Sequence, residues 1–422
     1  MSKVIVHPST LQGTVSVPCS KSAAHRAILC AALAQGESIL SPIAVSNDIH
    51  VTAQAAQALG ANILEEQRTW RVTGGNAPQG PTEIDCGESG STLRFLIPIC
   101  AALGMEATFT GHGRLPERPI GVYLDVLPAH GVSCHTEGGL PLSINGTLKQ
   151  GEFILPGNIS SQFITGLLLA CPLLAGESTI RLSSPLESAA YVDMTLEAMR
   201  AFGVTVDPLD NGWRIPGGQR YRARPFSVEG DWSQAAFFLA AGTLGGTLSI
   251  GGLKRESTQG DRAAESLFAA FGAECAWKGE TLCIKSNNLY GMEIDAAQIP
   301  DLVPILAATA ALAKGRTRIY NAARLRIKES DRLAAMADGL NRLGAQVQET
   351  PDGLLIDGVE LLHGGEVDGY NDHRVVMALS IAALRADGPV TISDAESIRK
   401  SYPAFFEDYN RLGGKADVIN MG

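Results

Sequence analysis

The sequence lacks any segment apolar enough to cross a membrane. Its most apolar stretch, Phe163 to Gly176, covers about 14 residues and is interrupted by Pro172, whereas a membrane span needs ~20. The first 18 residues contain neither an apolar core of signal-peptide length nor a small-residue cleavage site. We therefore expect a cytoplasmic protein.

Recognisable cysteine and metal motifs are also missing. The eight cysteines are dispersed, no CxxC pair occurs, and no HExxH motif is present. In a large chain without an export signal, dispersed cysteines are typical of free thiols in a reducing compartment. We expect no disulfide framework, and we expect no metal because no Cys/His cluster has ligand spacing.

Positive charge is scarce as well. The chain has 34 Lys and Arg against 44 Asp and Glu, a formal net charge of −10, and no block of five or more basic residues. This balance argues against a nonspecific nucleic-acid binder. The absence of a GxxxxGK[ST] loop argues against a nucleotide-dependent kinase. The 422 residues are 45% hydrophobic, which predicts large buried cores and two or more domains.

What the chain does contain is an internal repeat. A helix-ending signature, in which Gly follows an apolar residue or His and precedes a strand-like run, recurs six times at intervals of 69–72 residues. Gly commonly ends helices because it adopts the left-handed conformation without a Cβ clash. DNG and PDG turns follow two of these signatures and predict β-hairpins. The six glycines are Gly60, Gly131, Gly203, Gly272, Gly344 and Gly413.

A second series of six Ala/Leu-rich segments keeps step with the first. These segments recur every 70–71 residues and are apolar nearly all round, so they predict buried helices. Their starts are at Ser20, Gly90, Ser160, Asp231, Asp301 and Asp372.

Together the two series predict six copies of an α/β unit of about 70 residues within globular domains, because the period exceeds that of solenoid repeats. Six units suggest two domains of three. We expect the chain to change domain near Pro18–Lys21 and near Val228–Asp231. An extra strand from Val4 to Val17 is expected before the first unit, and its pairing with the second block would make the chain cross between domains twice.

Each apolar helix begins with a polar cluster. Ser, Asp and Asn at these positions satisfy backbone N–H groups, and capping would explain any single cluster. The cations Lys21, Arg26, Arg94, His373 and Arg374 exceed that need, because positive charge near a helix N-terminus opposes the helix dipole. Helix N-termini combined with Lys and Arg form anion sites. We therefore predict that anions offset these cations in a cleft for phosphates and carboxylates between the two domains.

Two further basic segments support this interpretation. GRLPERPIG contains Arg114 and Arg118, and RLRIKESDR contains Lys328, Glu329 and Arg332. A solvated helix start would explain the second segment by itself. Its position relative to the other basic clusters favours the anion site.

The motifs SKSAAHR, ERPIG, SSQF, IPD, KESDR and NDHR, in this order and at these intervals, resemble the 5-enolpyruvylshikimate-3-phosphate synthase family over essentially the whole chain. Any one motif is weak, whereas six in order are very specific. The resemblance implies a two-domain inverse α/β barrel-like enolpyruvyl transferase fold with three β-α-β-α-β-β units per domain. It places residues 20–229 in the N-terminal domain, residues 1–19 and 230–422 in the C-terminal domain, and the active site in the cleft.

The resemblance also implies an activity. Members transfer the enolpyruvyl group of phosphoenolpyruvate to the 5-hydroxyl of shikimate 3-phosphate, through a tetrahedral intermediate, and release phosphate. This reaction of the shikimate pathway needs Arg and Lys clamps together with an acid and a base. The implied enzyme is a cytoplasmic monomer without cofactor or metal, and a target of glyphosate.

Carried over residue by residue, the resemblance implies two substrate sites and a catalytic group. The expected phosphoenolpyruvate ligands are Lys21, Gly90, Arg118, Gln162, Arg332, Arg374 and Lys400, with Arg399 as the alternative to the last. The expected shikimate 3-phosphate ligands are Lys21, Ser22, Arg26, Ser160, Ser161, Gln162, Ser188, Tyr191, Asp301 and Lys328. The expected catalytic residues are Asp301 as base, Glu329 as proton donor, Lys21 as a partner in proton transfer, and His373 beside Glu329 or the leaving phosphate. Arg94 is expected to support the Gly90 loop.

Three positions depart from the usual family pattern. Cys19 stands where Gly is usual, and Arg324 stands where some members have Asn. Glu88 stands where Asn is usual and adds a negative charge near the expected anion site.

Two alternative functions stay open. The sister enzyme that acts on UDP-N-acetylglucosamine has Lys-Asn where this chain has Lys21-Ser22, and usually Cys where this chain has Gly113. A non-catalytic repeat protein that binds anions would have no need of both Asp301 and Glu329. The sequence favours the transfer to shikimate 3-phosphate over both.

Overall fold

The computed structural model describes residues 2–420, and within this range there are 24 strands, twelve α-helices and eight short 3-10 turns. The strands are β1 Ser2–His7, β2 Gln12–Ser16, β3 Glu37–Ser41, β4 Asn62–Glu66, β5 Thr69–Thr73, β6 Thr82–Asp85, β7 Ala107–Thr110, β8 Val132–His135, β9 Leu142–Gly146, β10 Glu152–Leu155, β11 Ser178–Leu182, β12 Asp207–Leu209, β13 Gly212–Ile215, β14 Pro225–Ser227, β15 Thr247–Gly251, β16 Glu274–Lys278, β17 Thr281–Lys285, β18 Glu293–Asp295, β19 Arg316–Tyr320, β20 Gln346–Thr350, β21 Gly353–Asp357, β22 Gly365–Val367, β23 Val390–Ser393 and β24 Lys415–Asn420.

The α-helices are α1 Lys21–Ala32, α2 Asn47–Ala58, α3 Gly90–Ala102, α4 Gly121–Val126, α5 Ser161–Ala170, α6 Ala189–Ala201, α7 Trp232–Thr243, α8 Ala264–Phe271, α9 Val303–Ala310, α10 Arg332–Arg342, α11 His373–Ala382 and α12 Phe405–Arg411. The 3-10 turns are Leu115–Glu117, Leu127–His130, Cys171–Leu173, Gly260–Ala263, Pro300–Leu302, Ala323–Ile327, Ala383–Arg385 and Ala395–Lys400. Between residues 2 and 420, no helix combines the length and the apolar character that spanning a membrane requires.

The chain divides into two compact units. One is Cys19–Glu229, and the other combines Met1–Pro18 with Gly230–Gly422. Cys19 is buried within the first unit, where its sulfur accepts a hydrogen bond from the backbone N–H of Ala44 at 2.9 Å.

Each unit contains three four-stranded sheets with one shared pattern. The first two strands in spatial order are parallel, and the third and fourth add antiparallel. This confirms the six repeated β-α-β-α-β-β units; within residues 2–420 the strand pairings close no barrel. The orders are β14-β3-β5-β4, β6-β7-β9-β8 and β10-β11-β13-β12 in the first unit, and β2-β15-β17-β16, β18-β19-β21-β20 and β22-β23-β1-β24 in the second.

The N-terminal strand differs from the prediction. The single strand expected from Val4 to Val17 is two strands, β1 and β2, which belong to different sheets. Pro8 lies between them, and its fixed φ and missing N–H oppose a continuous ladder. β1 lies between β23 and β24, whereas β2 pairs in parallel with β15.

Packing of the apolar helices agrees with the sequence. Every residue of α7, α9 and α11 is buried, and these three helices pack on one another in the second unit. In the first unit α3 packs on α5, and α6 packs on both α1 and α5. The prediction of buried helices is confirmed, and each unit has its own hydrophobic core.

The turn predictions are confirmed as well. All six helix-ending glycines are left-handed, with φ between 83° and 117°. The DNG and PDG segments connect the antiparallel pairs β12–β13 and β20–β21.

Candidate active site

The N-termini of the six repeated helices differ in one respect. Five of these helices begin at a side-chain cap that accepts a backbone N–H, and the caps are Ser20, Ser89, Ser160, Asp231 and Asp372. The sixth helix, α9, has no side-chain cap. Asp301 lies instead in the 3-10 turn that precedes α9. Its carboxylate is therefore available to the cations around it.

Asp301 faces three of the predicted basic residues. Its Oδ1 lies 3.0 Å from Nη1 of Arg332 and 3.8 Å from Nζ of Lys328. Its Oδ2 lies 3.4 Å from Nη2 of Arg374, whose Nη1 donates to the Asp301 backbone carbonyl at 3.0 Å. Burial raises the pKa of this carboxyl, but Arg374, Lys328 and Arg332 outweigh burial and hold the pKa well below its ordinary value. Asp301 is therefore ionised at neutral pH.

Arg332 is the centre of this cluster. Its side chain is only 1% exposed, and its guanidinium donates to Asp301, Glu329 and Asp372. The interaction with Asp372 is bidentate, because Nη2 of Arg332 also donates to Oδ1 of Asp372 at 3.3 Å. Burial lowers the pKa of Arg332, but its carboxylate neighbours more than reverse this effect. A bidentate pair of this kind fixes the orientation of the guanidinium.

The predicted residues at the start of α11 lie against the same cluster. Asp372 caps the helix by accepting the backbone N–H of Arg374 at 2.9 Å, and the ring Nδ1 of buried His373 lies 3.8 Å from Asp372 Oδ1. Lys400 is buried and donates to the backbone carbonyl of Asn371 at 2.6 Å. Arg399, the alternative to Lys400, is exposed.

In the first unit, Lys21 has a carboxylate partner. Its Nζ lies 2.8 Å from Oδ2 of Asp48, which stands in the first turn of α2. Protein carboxylates thus offset both Lys21 and the Arg332–Arg374 group. The expectation that anions must offset the cations is met in part by the protein itself.

Arg26 is held by protein groups. Its guanidinium donates to Thr195 and Thr165 and to the backbone carbonyls of Ser22 and Tyr191, with donor–acceptor distances of 2.7–3.4 Å. It also lies over the ring of Phe95 and is 3% exposed. These contacts hold the Arg26 guanidinium against the backbone of Ser22 and Tyr191. A direct contact of Arg26 with substrate stays a prediction.

A second set of predicted residues meets at the start of α3. A Cβ at Gly90 would lie 2.8 Å from Cζ of Arg118, so only glycine leaves the guanidinium in place. Arg94 donates to Gln162 at 2.6 Å, and Gln162 donates to Ser91 at 2.9 Å. Arg94 therefore orients Gln162 beside the Gly90 loop. By contrast, Arg114 lies at the surface near Glu117.

The predicted serines at the starts of α5 and α6 are Ser160, Ser161 and Ser188. Ser160 caps α5, and Ser161 is its buried first residue. Ser188 is buried with φ 55°, a left-handed conformation that costs a non-glycine residue about 1–3 kcal/mol. Such strain concentrates at functional sites, which is consistent with the expected role of Ser188.

Glu88 and Arg324, which depart from the usual family pattern, each contact identifiable neighbours. The Glu88 side chain lies over Gly113, where an added Cβ would come within 2.4 Å of Oε2 of Glu88. Arg324 donates to the backbone carbonyl of Ala297 at 2.6 Å. A side chain at position 113 would therefore require the Glu88 side chain to move.

Sequence reasoning missed three carboxylates. The role of Asp48 as the partner of Lys21 could not be predicted, because an acidic residue in the first turn of a helix is common. Asp372 gave only a capping signal, although it holds Arg332. Asp261 gave none, and it is buried close enough to Asp301 for their charges to interact.

Comparison with known proteins identifies related chains. The family described as EPSP synthase (3-phosphoshikimate 1-carboxyvinyltransferase) matches residues 5–409. A 3-phosphoshikimate 1-carboxyvinyltransferase from Clostridium kluyveri is 44% identical over 427 residues, with 100% of both chains covered. The solved EPSP synthase from Acinetobacter baumannii has a TM-score of 0.84 and 28% identity, also with 100% of both chains covered.

The fold extends beyond these relatives. The enolpyruvyl transferase NikO from Streptomyces tendae has a TM-score of 0.81 at 18% identity, with 100% of both chains covered, and so shares the fold alone. Sequence similarity over the full length is more specific than the fold, and it confirms the resemblance carried by the six motifs. The chain belongs to the EPSP synthase (3-phosphoshikimate 1-carboxyvinyltransferase) family.

Proposed function

We propose that this protein transfers the enolpyruvyl group of phosphoenolpyruvate to the 5-hydroxyl of shikimate 3-phosphate and releases phosphate. The observation that carries the proposal is that Asp301 does not cap a helix and instead contacts three cations. Membership of the EPSP synthase family and 44% identity to a 3-phosphoshikimate 1-carboxyvinyltransferase support the substrate assignment.

The cations are assigned to phosphoenolpyruvate. Arg suits its carboxylate and phosphate because a guanidinium group binds both bidentately, and Lys suits them because its ammonium group is a compact positive charge. Arg332 and Arg374 already share the Asp301 carboxylate, and buried Lys400 lies beside the start of α11. In the first unit, Arg118 against Gly90 and Gln162 held by Arg94 supply further donors, together with Lys21.

The acceptor is assigned to the remaining predicted residues. Ser160 and Ser161 lie at the N-terminus of α5, a position that favours phosphate. Arg26 fixes the backbone at Ser22 and Tyr191, and Ser188 precedes α6. Lys328 lies next to Asp301, which places a cation beside the proposed base.

The proposed chemistry has two steps. In the addition, Asp301 removes the hydroxyl proton, the oxygen bonds to C2 of phosphoenolpyruvate, and Glu329 donates a proton to C3, with Lys21 sharing in proton transfer. In the elimination, the C2–O bond to phosphate breaks and C3 loses a proton, which restores the double bond. Arg332 joins the base to the acid, because it contacts Asp301 and Glu329 at 3.0 and 2.8 Å. His373 is assigned to the leaving phosphate.

The proposal includes the expected organisation and setting. We assign residues 20–229 to an N-terminal domain, and residues 1–19 with 230–422 to a C-terminal domain. The residues assigned to the two substrates include members of both ranges. The reaction requires no metal or cofactor, and the assigned setting is a cytoplasmic monomer.

Phosphate release from phosphoenolpyruvate tests the proposal. Purified protein is assayed with shikimate 3-phosphate and, separately, with UDP-N-acetylglucosamine. We expect release only with shikimate 3-phosphate, and a loss of ~10²–10⁴ in kcat for Glu329→Gln. Phosphate release with the UDP-sugar alone would overturn the assignment of the acceptor. Phosphate release with neither acceptor would favour a protein that binds anions without catalysis.

A further inference from the structure

A buried carboxyl outside the predicted catalytic set lies beside Asp301. Asp261 belongs to the 3-10 turn Gly260–Ala263 and is 3% exposed. The charges of Asp301 and Arg374 act on it directly, as does that of Asp231, the cap of α7. Arg262, on its own turn, donates instead to the backbone carbonyl of Arg255. Asp261 is therefore buried near charged groups from three other elements, which are the cap of α7, the 3-10 turn before α9 and the start of α11.

The hydrogen bonds of Asp261 suit a neutral carboxyl. One oxygen, Oδ2, is in short contact with the hydroxyl of Ser233 in the first turn of α7. The other oxygen, Oδ1, is buried, and no donor between residues 2 and 420 reaches it. An ionised carboxylate accepts at both oxygens, so leaving one buried oxygen without a donor is costly. A neutral carboxyl loses less than a carboxylate does when one of its buried oxygens has no donor, so the free Oδ1 favours the protonated form.

The neighbouring carboxylates also favour the neutral form of Asp261. Arg374 is the nearby cation, but it already contacts both the carboxylate and the backbone carbonyl of Asp301. Two carboxylates close together do not readily ionise at once. Burial, followed by the charge of Asp301, raises the pKa of Asp261 to about 7 against the pull of Arg374. Asp301, which faces three cations, holds its negative charge instead.

We propose that Asp261 is a positioning residue that keeps its proton on the acidic side of neutral pH, so that Asp301 is then the ionised carboxylate beside Arg374. This role rests on the proposed function, in which Asp301 is the base and Arg374 binds phosphoenolpyruvate. Loss of the proton from Asp261 at higher pH places a second negative charge beside Arg374. The affinity for an anionic substrate therefore falls as Asp261 ionises.

The protonation of Asp261 is tested first on the ligand-free protein. Aspartate side-chain carboxyls are labelled with 13C, and the Asp261 signal is identified by its loss in Asp261→Asn. We expect a midpoint near pH 7, against ~3.9 for an ordinary aspartate. A midpoint near the ordinary value overturns the proposal. This measurement needs no activity, so it stands or fails separately from the proposed function.

Two variants that keep the Asp261 carboxyl make the titration more specific. Asp301→Asn removes the neighbouring negative charge and is expected to lower the Asp261 midpoint. Ser233→Ala removes a hydrogen bond that favours the ionised form, and is expected to raise the midpoint. An unchanged midpoint in both variants contradicts the geometry on which the proposal depends.

Kinetics test the consequence for the reaction. Wild-type protein is expected to show a rise of roughly three- to tenfold in the KM for phosphoenolpyruvate as pH increases from 6 to 8.5, because one nearby charge changes binding by about this factor. Asp261→Asn is expected to lose this rise while kcat at pH 6 changes little. Ionisation of phosphoenolpyruvate itself affects both proteins equally, so the comparison cancels it. Parallel pH profiles would overturn the proposed role.

Discussion

Asp301 and Arg332 are in contact at 3.0 Å, although Asp301 occupies the place in its repeat where the equivalent residues cap helices. Asp231 and Asp372, one repeat before and one repeat after, each accept a backbone N–H of the helix that follows. At Asp301 the helix start is shifted into a 3-10 turn, and the carboxylate binds cations instead of the backbone. The carboxylate at this position of the repeat therefore contacts three cations instead of capping a helix.

The role of Asp301 as base is tested by Asp301→Asn. The amide keeps the size of the side chain but cannot accept the hydroxyl proton, so kcat is expected to fall by ~10²–10⁴. Steady-state rates and circular dichroism would be measured together. The matched control is Asp357→Asn, which removes a carboxylate from an exposed ion pair with Arg316 and should leave kcat unchanged. Activity within a few-fold of wild type would exclude Asp301 as the base.

Asp372 is expected to stabilise the fold as well as the site. Its carboxylate is 0% exposed and holds Arg332, so Asp372→Asn leaves a buried cation with less compensation. The expected cost is roughly 3–5 kcal/mol in the free energy of unfolding, measured with urea at pH 7. Asn still caps helices, which isolates the loss of charge from the loss of the cap. Equal stability of variant and wild type would show that Asp301 and Glu329 compensate Arg332 without the charge of Asp372.

The same variant has a defined pH dependence. Burial raises the pKa of Asp372, but Arg332 and then His373 reverse this and leave it below the ordinary value. A lowered folded-state pKa means that the stability contribution is complete above the unfolded value of ~3.9 and is lost as pH falls towards the folded value. The difference between wild type and Asp372→Asn should therefore shrink below about pH 4. A difference that grows on acidification would reverse the assigned sign.

Gly90→Ala is expected to weaken phosphoenolpyruvate binding. The added Cβ would lie 2.8 Å from the Arg118 guanidinium and must displace it. We expect the KM for phosphoenolpyruvate to rise about tenfold or more, since a displaced charge-assisted contact is worth ~1.5–3 kcal/mol, while kcat changes less. The control is Gly121→Ala, where an added Cβ meets no atom within 4 Å. If both variants bind phosphoenolpyruvate equally well, Arg118 is not a ligand.

The two adjacent basic residues before Ser401 are expected to differ in function. Lys400 is buried at the carbonyl of Asn371, and Arg399 is exposed. Lys400→Met should raise the KM for phosphoenolpyruvate by about tenfold, which corresponds to one charge-assisted hydrogen bond. Arg399→Met should have no measurable effect. The reverse pattern would transfer the role to Arg399.

The sequence predicted the repeated units because their signals are local. Gly60 and its five equivalents were predictable because glycine adopts the left-handed conformation that ends a helix, and α7 was predictable because its sequence is apolar throughout. The partners of the charged residues are non-local, and nothing near Lys21 in sequence indicates Asp48, which lies 27 residues away. The N-terminal strand was misjudged because the pairing partners of β1 and β2 lie more than 200 residues along the chain.

The most direct test of the central claim is to run the reaction in D₂O. In the proposed addition, Glu329 delivers a solvent-derived proton to C3 of phosphoenolpyruvate, and elimination removes one of the three hydrogens then present. Proton NMR should show a loss of vinyl proton signal in the product, because deuterium has replaced hydrogen there. Formation of this product should require shikimate 3-phosphate and should be strongly reduced in Glu329→Gln. A product without deuterium in its vinyl group would contradict addition and elimination at this site.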